Sequence, residues 1–395
     1  MCKQHFYVIG LSDQQTCFFS PEVSKIIAGG KVFSGGIRHR DIISDMLPTG
    51  ARWIDITVPL DNVFAEYEGI SEIVVFASGD PLFFGFANTI RRKLPEAAIT
   101  VYPTFNSLQT LAHRMLLPYH DMVTISLTGR EWDKFDCSLI KGDNIIGVLT
   151  DRHKTPAAIA ARMLDYGYDN YRMTVGELLG NKDKEVVRTL SLSVAAQTEF
   201  AAPNCIILEK TQNRMRPFGI PESDFHLLNG RVNMITKAPI RLLTLGMLDL
   251  HNKHSFWDIG FCTGSVSIEA KLQFPHLKVT SFEQREEGRE LMDKNTRKFG
   301  VPGITVSIGD FLKTDISVLL APDAVFIGGH GGQLKDILKK VSQVIRPGGV
   351  IVFNSVSENS KNLFIEGTNE INYSVTKQLY VAIDSYNPID IMKAE

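Results

Sequence analysis

Two glycine-bearing segments carry residue types from which a binding site for a nucleotide-like or anionic ligand can be made. The first is Phe256-Trp-Asp-Ile-Gly-Phe-Cys-Thr-Gly264, which follows an apolar run and precedes a helix-length stretch. Glycines 260 and 264 allow a tight turn with close backbone approach, and the free N–H groups of the following helix face such a loop. Glu283 stands 19 positions past Gly264, at the end of the next apolar run. That is the spacing at which a carboxylate accepts ribose hydroxyl hydrogen bonds. It suits NAD and S-adenosylmethionine alike. Asp258 just before the first glycine, and a G-x-x-x-G loop where a dinucleotide fold has G-x-G-x-x-G, favour S-adenosylmethionine. Asp310, after Gly309, is placed to cap a turn or to contact an adenine amine. The second segment, Ser78-Gly-Asp-Pro81, follows the apolar run Ile73–Phe76. Gly79 and Pro81 fix a rigid turn whose amides can hold a carboxylate or a ribose, and Asp80 can accept from a hydroxyl or an amide.

Strands and helices must hold these segments in place. At about 150 residues per domain, 395 residues imply two or three domains. Hydrophobic residues at 44% and charged residues at 22% are ordinary for a chain that buries a sizeable core. Short β-rich runs alternate with amphipathic stretches, which predicts α/β domains on largely parallel sheets. Strands are expected at Phe6–Ile9, Ile73–Phe76, Ile99–Tyr102, Val123–Ser126, Ile145–Leu149 and Cys205–Leu208. A second set is expected at Ser255–Ile259, Lys278–Glu283, Ile304–Ile308, Ala324–Ile327, Val350–Asn354 and Tyr373–Ile383. Val266, Ile268, Ala270, Leu272 and Phe274 alternate as a strand would. A helix is nevertheless expected there, because parallel neighbours need a crossover. Lys210 to Asn233 is polar, holds prolines and shows no clear period, which places the junction there. The expected division is 1–210, a linker 211–232, and 233–395.

The formal net charge of −2 supplies no global field for nucleic acid or an acidic membrane. No run approaches the roughly 18 apolar residues of a membrane span. The five cysteines, Cys2, Cys17, Cys137, Cys205 and Cys262, never form a C-x-x-C pair, so neither a disulfide framework nor a zinc cluster is expected. His251 and His254 lack a third ligand at metal spacing. A cytoplasmic chain binding no metal fits these features.

Met234-Ile-Thr-Lys237, Trp257-Asp-Ile-Gly260, Gly264-Ser-Val-Ser-Ile-Glu-Ala270, Lys298-Phe-Gly300, Asp323-Ala-Val-Phe-Ile-Gly-Gly329 and Arg346-Pro-Gly-Gly349 resemble the C15-methylating, decarboxylating domain of cobalamin biosynthesis, from about residue 220 to 390. One departure is Cys262, at a loop position that is usually glycine. In the first half, Ser78-Gly-Asp-Pro-Leu-Phe-Phe-Gly85 resembles the tetrapyrrole methylases, specifically the C5-methylating corrin branch. Gly35-Gly-Ile-Arg-His39, Ser126-Leu-Thr-Gly-Arg130, Val148-Leu-Thr-Asp151 and Glu177-Leu-Leu-Gly180 support it. Two loops depart from that family: Gly10-Leu-Ser-Asp-Gln-Gln15 and Pro103-Thr-Phe-Asn-Ser-Leu108 have lost glycines. The whole order resembles the fused decarboxylating C5,15-methyltransferases of precorrin-6Y type.

The resemblance implies a two-lobed tetrapyrrole-methylase fold followed by a Rossmann-like methyltransferase fold. It implies S-adenosylmethionine as cofactor, a corrinoid precursor as substrate, and a homo-oligomer. Cofactor contacts are expected at Ser78, Gly79, Asp80, Pro81 and Ser107 in the first half. In the second half they are expected at Thr236, Asp258, Gly260, Cys262, Thr263, Gly264, Glu283, Asp310, Gly328 and Gly329. A polycarboxylate substrate calls for basic side chains and open backbone amides. Arg38, His39 and Arg130 are expected to meet it in the first half, and Lys237, Arg241 and Gly331 in the second. Lys237 and His330 are the candidate proton carriers. Two alternatives are a first half that only binds the corrin, and a second half that methylates another small molecule or RNA. An NAD-dependent oxidoreductase fits the loop spacing less well.

Overall fold

The computed structural model describes residues 4–12, 18–231, 234–383 and 387–395. Cys2, Cys17, the loop residues Asp13, Gln14 and Gln15, and Val232 and Asn233 at the expected junction lie outside the described residues.

Two compact units are formed. The first comprises Met1–Arg130, Asn144–Ala161 and Tyr171–Thr211; the second comprises Glu131–Asp143, Arg162–Asn170 and Gln212–Glu395. Two short segments N-terminal to residue 210 thus belong with the second unit. Within it, Tyr168 Oη donates to Gly300 O at 2.8 Å.

The first unit holds two five-stranded sheets. One is built from β1 (His5–Leu11), β2 (Val32–Gly35), β3 (Arg52–Asp55), β4 (Glu72–Ser78) and β5 (Ala98–Tyr102), ordered β3-β2-β4-β1-β5 and parallel throughout. Its central strands are apolar on both faces. From β4, Ile73 and Val75 enter one core with Phe6 and Val8, while Val74 and Phe76 enter another with Ile9 and Phe33. That double burial is what a parallel sheet covered on both sides requires. The other sheet uses β6 (Val123–Ser126), β7 (Ile145–Leu149), β8 (Tyr171–Glu177), β9 (Val186–Ser191) and β10 (Asn204–Lys210), ordered β6-β7-β10-β8-β9. Only β6 and β7 run parallel; β10 is antiparallel to β7 and β8, and β8 to β9. This sheet is therefore mixed where a largely parallel one was expected.

The second unit carries β11 (Ser255–Ile259), β12 (Lys278–Glu283), β13 (Ile304–Ile308), β14 (Ala324–Ile327), β15 (Val350–Ser355), β16 (Val375–Val381) and β17 (Ile389–Ala394) in one sheet, ordered β13-β12-β11-β14-β15-β17-β16. The first five strands are parallel, and β17 and β16 are antiparallel. The strand order reverses at β11, so a crevice opens beyond the carboxyl ends of β11 and β14. The alternating stretch after Gly264 is the helix Ser265–Gln273, with every residue from Ser265 to Leu272 buried.

Among its described residues the polar stretch after residue 210 has only short 3-10 turns, Glu222–Asp224 and Leu228–Gly230, and it packs within the second unit. Ile220 and Phe225 are buried there. Among the described residues no helix is long and apolar enough to cross a membrane.

Candidate active sites

In the first unit, Ser78 ends β4, and the chain turns at Gly79, whose φ is +61°. The Gly79 N–H donates to Leu11 O at 2.7 Å. A Cβ on Gly79 would stand 2.8 Å from Asn106 Cα, and one on Gly10 would stand 2.0 Å from Gly79 O. Backbone from three segments therefore meets where only glycine fits. Asp80 and Pro81 shape this turn and do not face the cleft beside it. Asp80 Oδ1 accepts the Leu82 N–H at 2.8 Å and Asp80 O accepts the Phe83 N–H at 3.0 Å. Asp80 Oδ1 is thus engaged in an Asx turn, and neither Asp80 nor Pro81 is among the residues lining the cleft.

Ser78, Gly79, Ser107, Arg38, His39 and Arg130 line a single cleft of about 660 Å³. His39 Nδ1 accepts the Gly36 N–H at 3.2 Å, so its Nε2 carries the proton and donates to Ser78 Oγ at 2.9 Å. Arg38 Nη2 donates to the same oxygen at 2.8 Å. Burial, and then the neighbouring Arg38, hold the His39 pKa down to about 4, so the ring is neutral near pH 7. With both acceptor positions of Ser78 Oγ filled, its hydroxyl proton is left to donate to a ligand. Arg130 Nη1 donates to Ser126 Oγ at 2.6 Å, and its guanidinium lies 5.3 Å from the centre of the Phe84 ring. The Arg130 loop is anchored by Asp151, whose pKa is held down to about 2 by backbone hydrogen bonds from Lys154, Gly129 and His153. Five phenylalanines, Phe76, Phe83, Phe84, Phe86 and Phe105, complete the walls, and among the described residues that line the cleft there is no Asp or Glu. Sequence reasoning missed these aromatic rings. The run Leu82-Phe-Phe-Gly-Phe86 directly after a tight turn was the available signal.

In the second unit, Gly260 (φ +75°) directly follows β11, and a Cβ there would stand 2.6 Å from Gly329 O. The ends of β11 and β14 therefore touch. Gly328 joins them by donating to Ile259 O at 2.9 Å. Gly264 is the left-handed N-cap of the helix Ser265–Gln273. Cys262 takes φ +53° although it bears a side chain, and burial pushes its thiol pKa up.

Gly260, Glu283, Asp310, Gly329, His330 and Gly331 line a cavity of about 260 Å³, together with Gln284, Arg285, Phe311 and Gln333, which the sequence did not single out. Asp258 of β11 and Cys262, Thr263 and Gly264 of the loop after it are not among the lining residues. Asp258 is fully buried; its Oδ2 accepts the Ser267 N–H at 3.2 Å and the Ser267 Oγ–H at 2.5 Å. Burial pushes its pKa up to about 7. Asp258 Oδ1 and Thr263 Oγ1 are buried without a hydrogen-bond partner among the described residues. Asp310 Oδ1 accepts the Leu312 N–H at 2.9 Å and so caps its turn. Burial alone would raise the Glu283 pKa, but Arg285 reverses this and holds the carboxyl below the usual range. His330 Nδ1 accepts the Gly332 N–H at 3.1 Å, leaving Nε2 as the protonated nitrogen of the neutral ring. Burial lowers its pKa.

Thr236 and Lys237 lead into the helix Ala238–Leu248, with Lys237 as its N-cap, and neither lines the cavity. Arg241 is no substrate contact. It is wholly buried, donates from Nε to Glu269 Oε2 at 2.5 Å, and spends Nη1 and Nη2 on the carbonyls of Thr236 and Ile220. A charge so enclosed is held for its structural pairing. Among the described residues no group of three or more His, Cys, Asp or Glu is gathered as metal ligands would be.

Comparison with known proteins matches two family models. A precorrin methyltransferase domain spans residues 230–390, and the tetrapyrrole (corrin/porphyrin) methylases span residues 55–194. A precorrin-6Y C(5,15)-methyltransferase (decarboxylating) of a Sinorhizobium species is 28% identical over 362 residues, covering 91% of this chain and 86% of that one. A cobalt-precorrin-6B C(15)-methyltransferase (decarboxylating) of Salmonella typhimurium is 35% identical over 133 residues, covering 34% of this chain and 68% of that one. Among solved structures, a precorrin-6Y C5,15-methyltransferase of Geobacter metallireducens GS-15 is 30% identical and covers 45% of this chain and 97% of its own, with a TM-score of 0.42.

Proposed function

The chain belongs to the family of decarboxylating precorrin methyltransferases, and on that premise we propose that it methylates C5 of a precorrin-6Y-type corrinoid in its first unit, and methylates C15 and removes the ring-C acetate carboxyl in its second. The observation that carries the first half of this reading is the cleft around Ser78. It has aromatic walls for a flat macrocycle, and Arg38, Arg130 and a donating Ser78 hydroxyl for its carboxylates. Among the described residues that line it, none is a carboxylate that would repel them.

S-adenosylmethionine would supply an electrophilic methyl group, and the donor's positive charge disappears on transfer. The nucleophile is an electron-rich meso carbon of the reduced ring, so no strong base is required. Alignment supplies most of the rate. The chain's own contribution in the first unit is to pack the ring against Phe83 and Phe84, whose planes stand 73° apart so that one meets it face-on and the other edge-on, to fix its acidic arms, and to exclude water. In the second unit, Glu283 and Asp310 at neighbouring strand ends, beside the apolar Phe311, suit a nucleoside. The unpartnered Asp258 Oδ1 and Thr263 Oγ1 supply an acceptor and a hydroxyl in the loop that would hold the donor's amino acid end. When the carboxyl leaves as carbon dioxide, its bonding electron pair passes into the conjugated ring and a proton is taken up. Of the two candidate proton carriers, His330 lines the cavity and can deliver one from Nε2, whereas Lys237 does not line it.

A second reading, in which the first unit only binds the corrin, draws on Phe105. Its ring lines the cleft in the loop that has lost its usual glycine. Incubating the full chain with precorrin-6Y and labelled S-adenosylmethionine separates the two. Two methyl groups transferred with carbon dioxide released supports the two-site enzyme. One methyl with carbon dioxide supports the binding module, and neither, beside an active control, overturns both.

A further inference from the structure

We propose that Arg285 is a clasp on Glu283 that a bound nucleoside must displace, so that this residue sets the affinity of the second unit for the ribose diol of its methyl donor. The inference rests on the reading of this cavity as the donor site. An ionised carboxylate offers about four lone-pair positions, and at Glu283 four donors fill them. Oε1 accepts the Arg285 N–H at 3.1 Å and Nε–H at 2.8 Å; Oε2 accepts the Cys262 N–H at 2.9 Å and the Arg285 Nη2–H at 3.0 Å. No acceptor position is left for a ribose hydroxyl while this arrangement stands.

The four donors differ in what it takes to remove them. Two are backbone amides fixed by the turn and by the loop after β11. The other two belong to one side chain that is 37% exposed, while Glu283 itself is 4% exposed. The guanidinium is therefore the removable part. It grips in the bidentate geometry that makes arginine–carboxylate pairs strong. It also reaches the neighbouring segment, with Arg285 Nη1 lying 3.9 Å from Met234 Sδ, and it contacts the Cys262 thiol. One side chain thus ties together β12, the glycine loop and the segment before the helix Ala238–Leu248.

The cavity volume agrees. At about 260 Å³ the cavity is smaller than the first unit's cleft of about 660 Å³, and it falls below the roughly 300–1,000 Å³ usual for small-molecule sites. Arg285 is among its lining residues, so withdrawal of the guanidinium both frees two acceptor positions and enlarges the space.

Calorimetric titration of the full chain with S-adenosylhomocysteine tests the clasp. The second unit's site is identified as the one lost in Gly264→Arg. At that site, Arg285→Gln is expected to tighten binding about tenfold. Arg285→Lys, which keeps the charge but not the fork, is expected to fall between. 2′,3′-Dideoxyadenosine, which lacks the diol, should bind the wild type and Arg285→Gln alike. A merely structural arginine would weaken binding when removed, never strengthen it. Unchanged or weaker S-adenosylhomocysteine binding in both Arg285 variants overturns the clasp. Absence of any site sensitive to Gly264→Arg overturns the donor-site reading, and the clasp with it.

Discussion

Asp258 shows how one buried carboxyl can couple a binding loop to pH. It is enclosed at the end of β11, with Ser267 donating to one oxygen and no described residue donating to the other. Burial raises its pKa from 3.8 to about 7. Because the folded value lies above the unfolded one, the protonated form is favoured by folding. That contribution is complete below about pH 3.8 and is lost as pH rises through about 7. Asp258→Asn removes the titration. Its melting temperature should vary less between pH 5 and 8 than that of the wild type, and at pH 8 the variant should be the more stable, with ~1.4 kcal/mol per pKa unit as the ceiling. Parallel melting curves for the two proteins would show that Asp258 stays ionised throughout. Its place before the first glycine was legible in the sequence. Its complete burial was not, because burial depends on strands that lie on either side of β11.

At the scale of elements, the helix Ala238–Leu248 and the helix Ser265–Gln273 are joined by the pair Arg241–Glu269, both wholly buried. Glu269 also accepts the Gly219 N–H, and Arg241 donates to Ile220 O, so the pair draws the polar stretch 217–220 onto the two helices. Removing one partner leaves an uncompensated buried charge. Arg241→Met is therefore expected to lower stability to urea by about 3–5 kcal/mol. Adding Glu269→Leu should recover part of that loss, since the carbonyls of Thr236 and Ile220 stay unpaired at about 1–3 kcal/mol each. A double variant no more stable than the single one would contradict this. The same region shows why sequence patterning succeeded and failed. Residues 266–274 alternate like a strand because their helix is buried all round, which erases the 3.6-residue period; topology, not pattern, identified it. Arg241 reads as a surface cation because its partner lies 28 residues away. The strands β2, β3, β8, β9 and β17 were not anticipated. β2 and β3 have four residues each, and β8 and β9 pair antiparallel in a chain whose other signals were parallel.

For the whole molecule, the near-neutral charge of −2 means that a polycarboxylate ring must be recognised locally, and the proposed corrin cleft of the first unit has arginines and, among its described lining residues, no carboxylate. Each unit's proposed site lies at the carboxyl ends of its own central strands, β1 and β4 in one and β11 and β14 in the other. The glycines at those ends are set by contacts internal to each unit. A Cβ on Gly79 would meet Asn106, and one on Gly264 would stand 2.4 Å from Met292 Sδ. Both also have positive φ, so a side chain at either position is strained as well as crowded. Substitution should therefore disable one site and spare the other. Wild-type protein is expected to bind two molecules of S-adenosylhomocysteine per chain by calorimetry, and Gly79→Val and Gly264→Arg one each. Gly264→Arg should still transfer the C5 methyl but release no carbon dioxide, whereas Gly79→Val should release carbon dioxide and add only the C15 methyl, as read by mass spectrometry of the product. If either variant lost both activities while keeping its remaining binding site, the two chemistries would be coupled steps of one centre and not two centres carried on one chain.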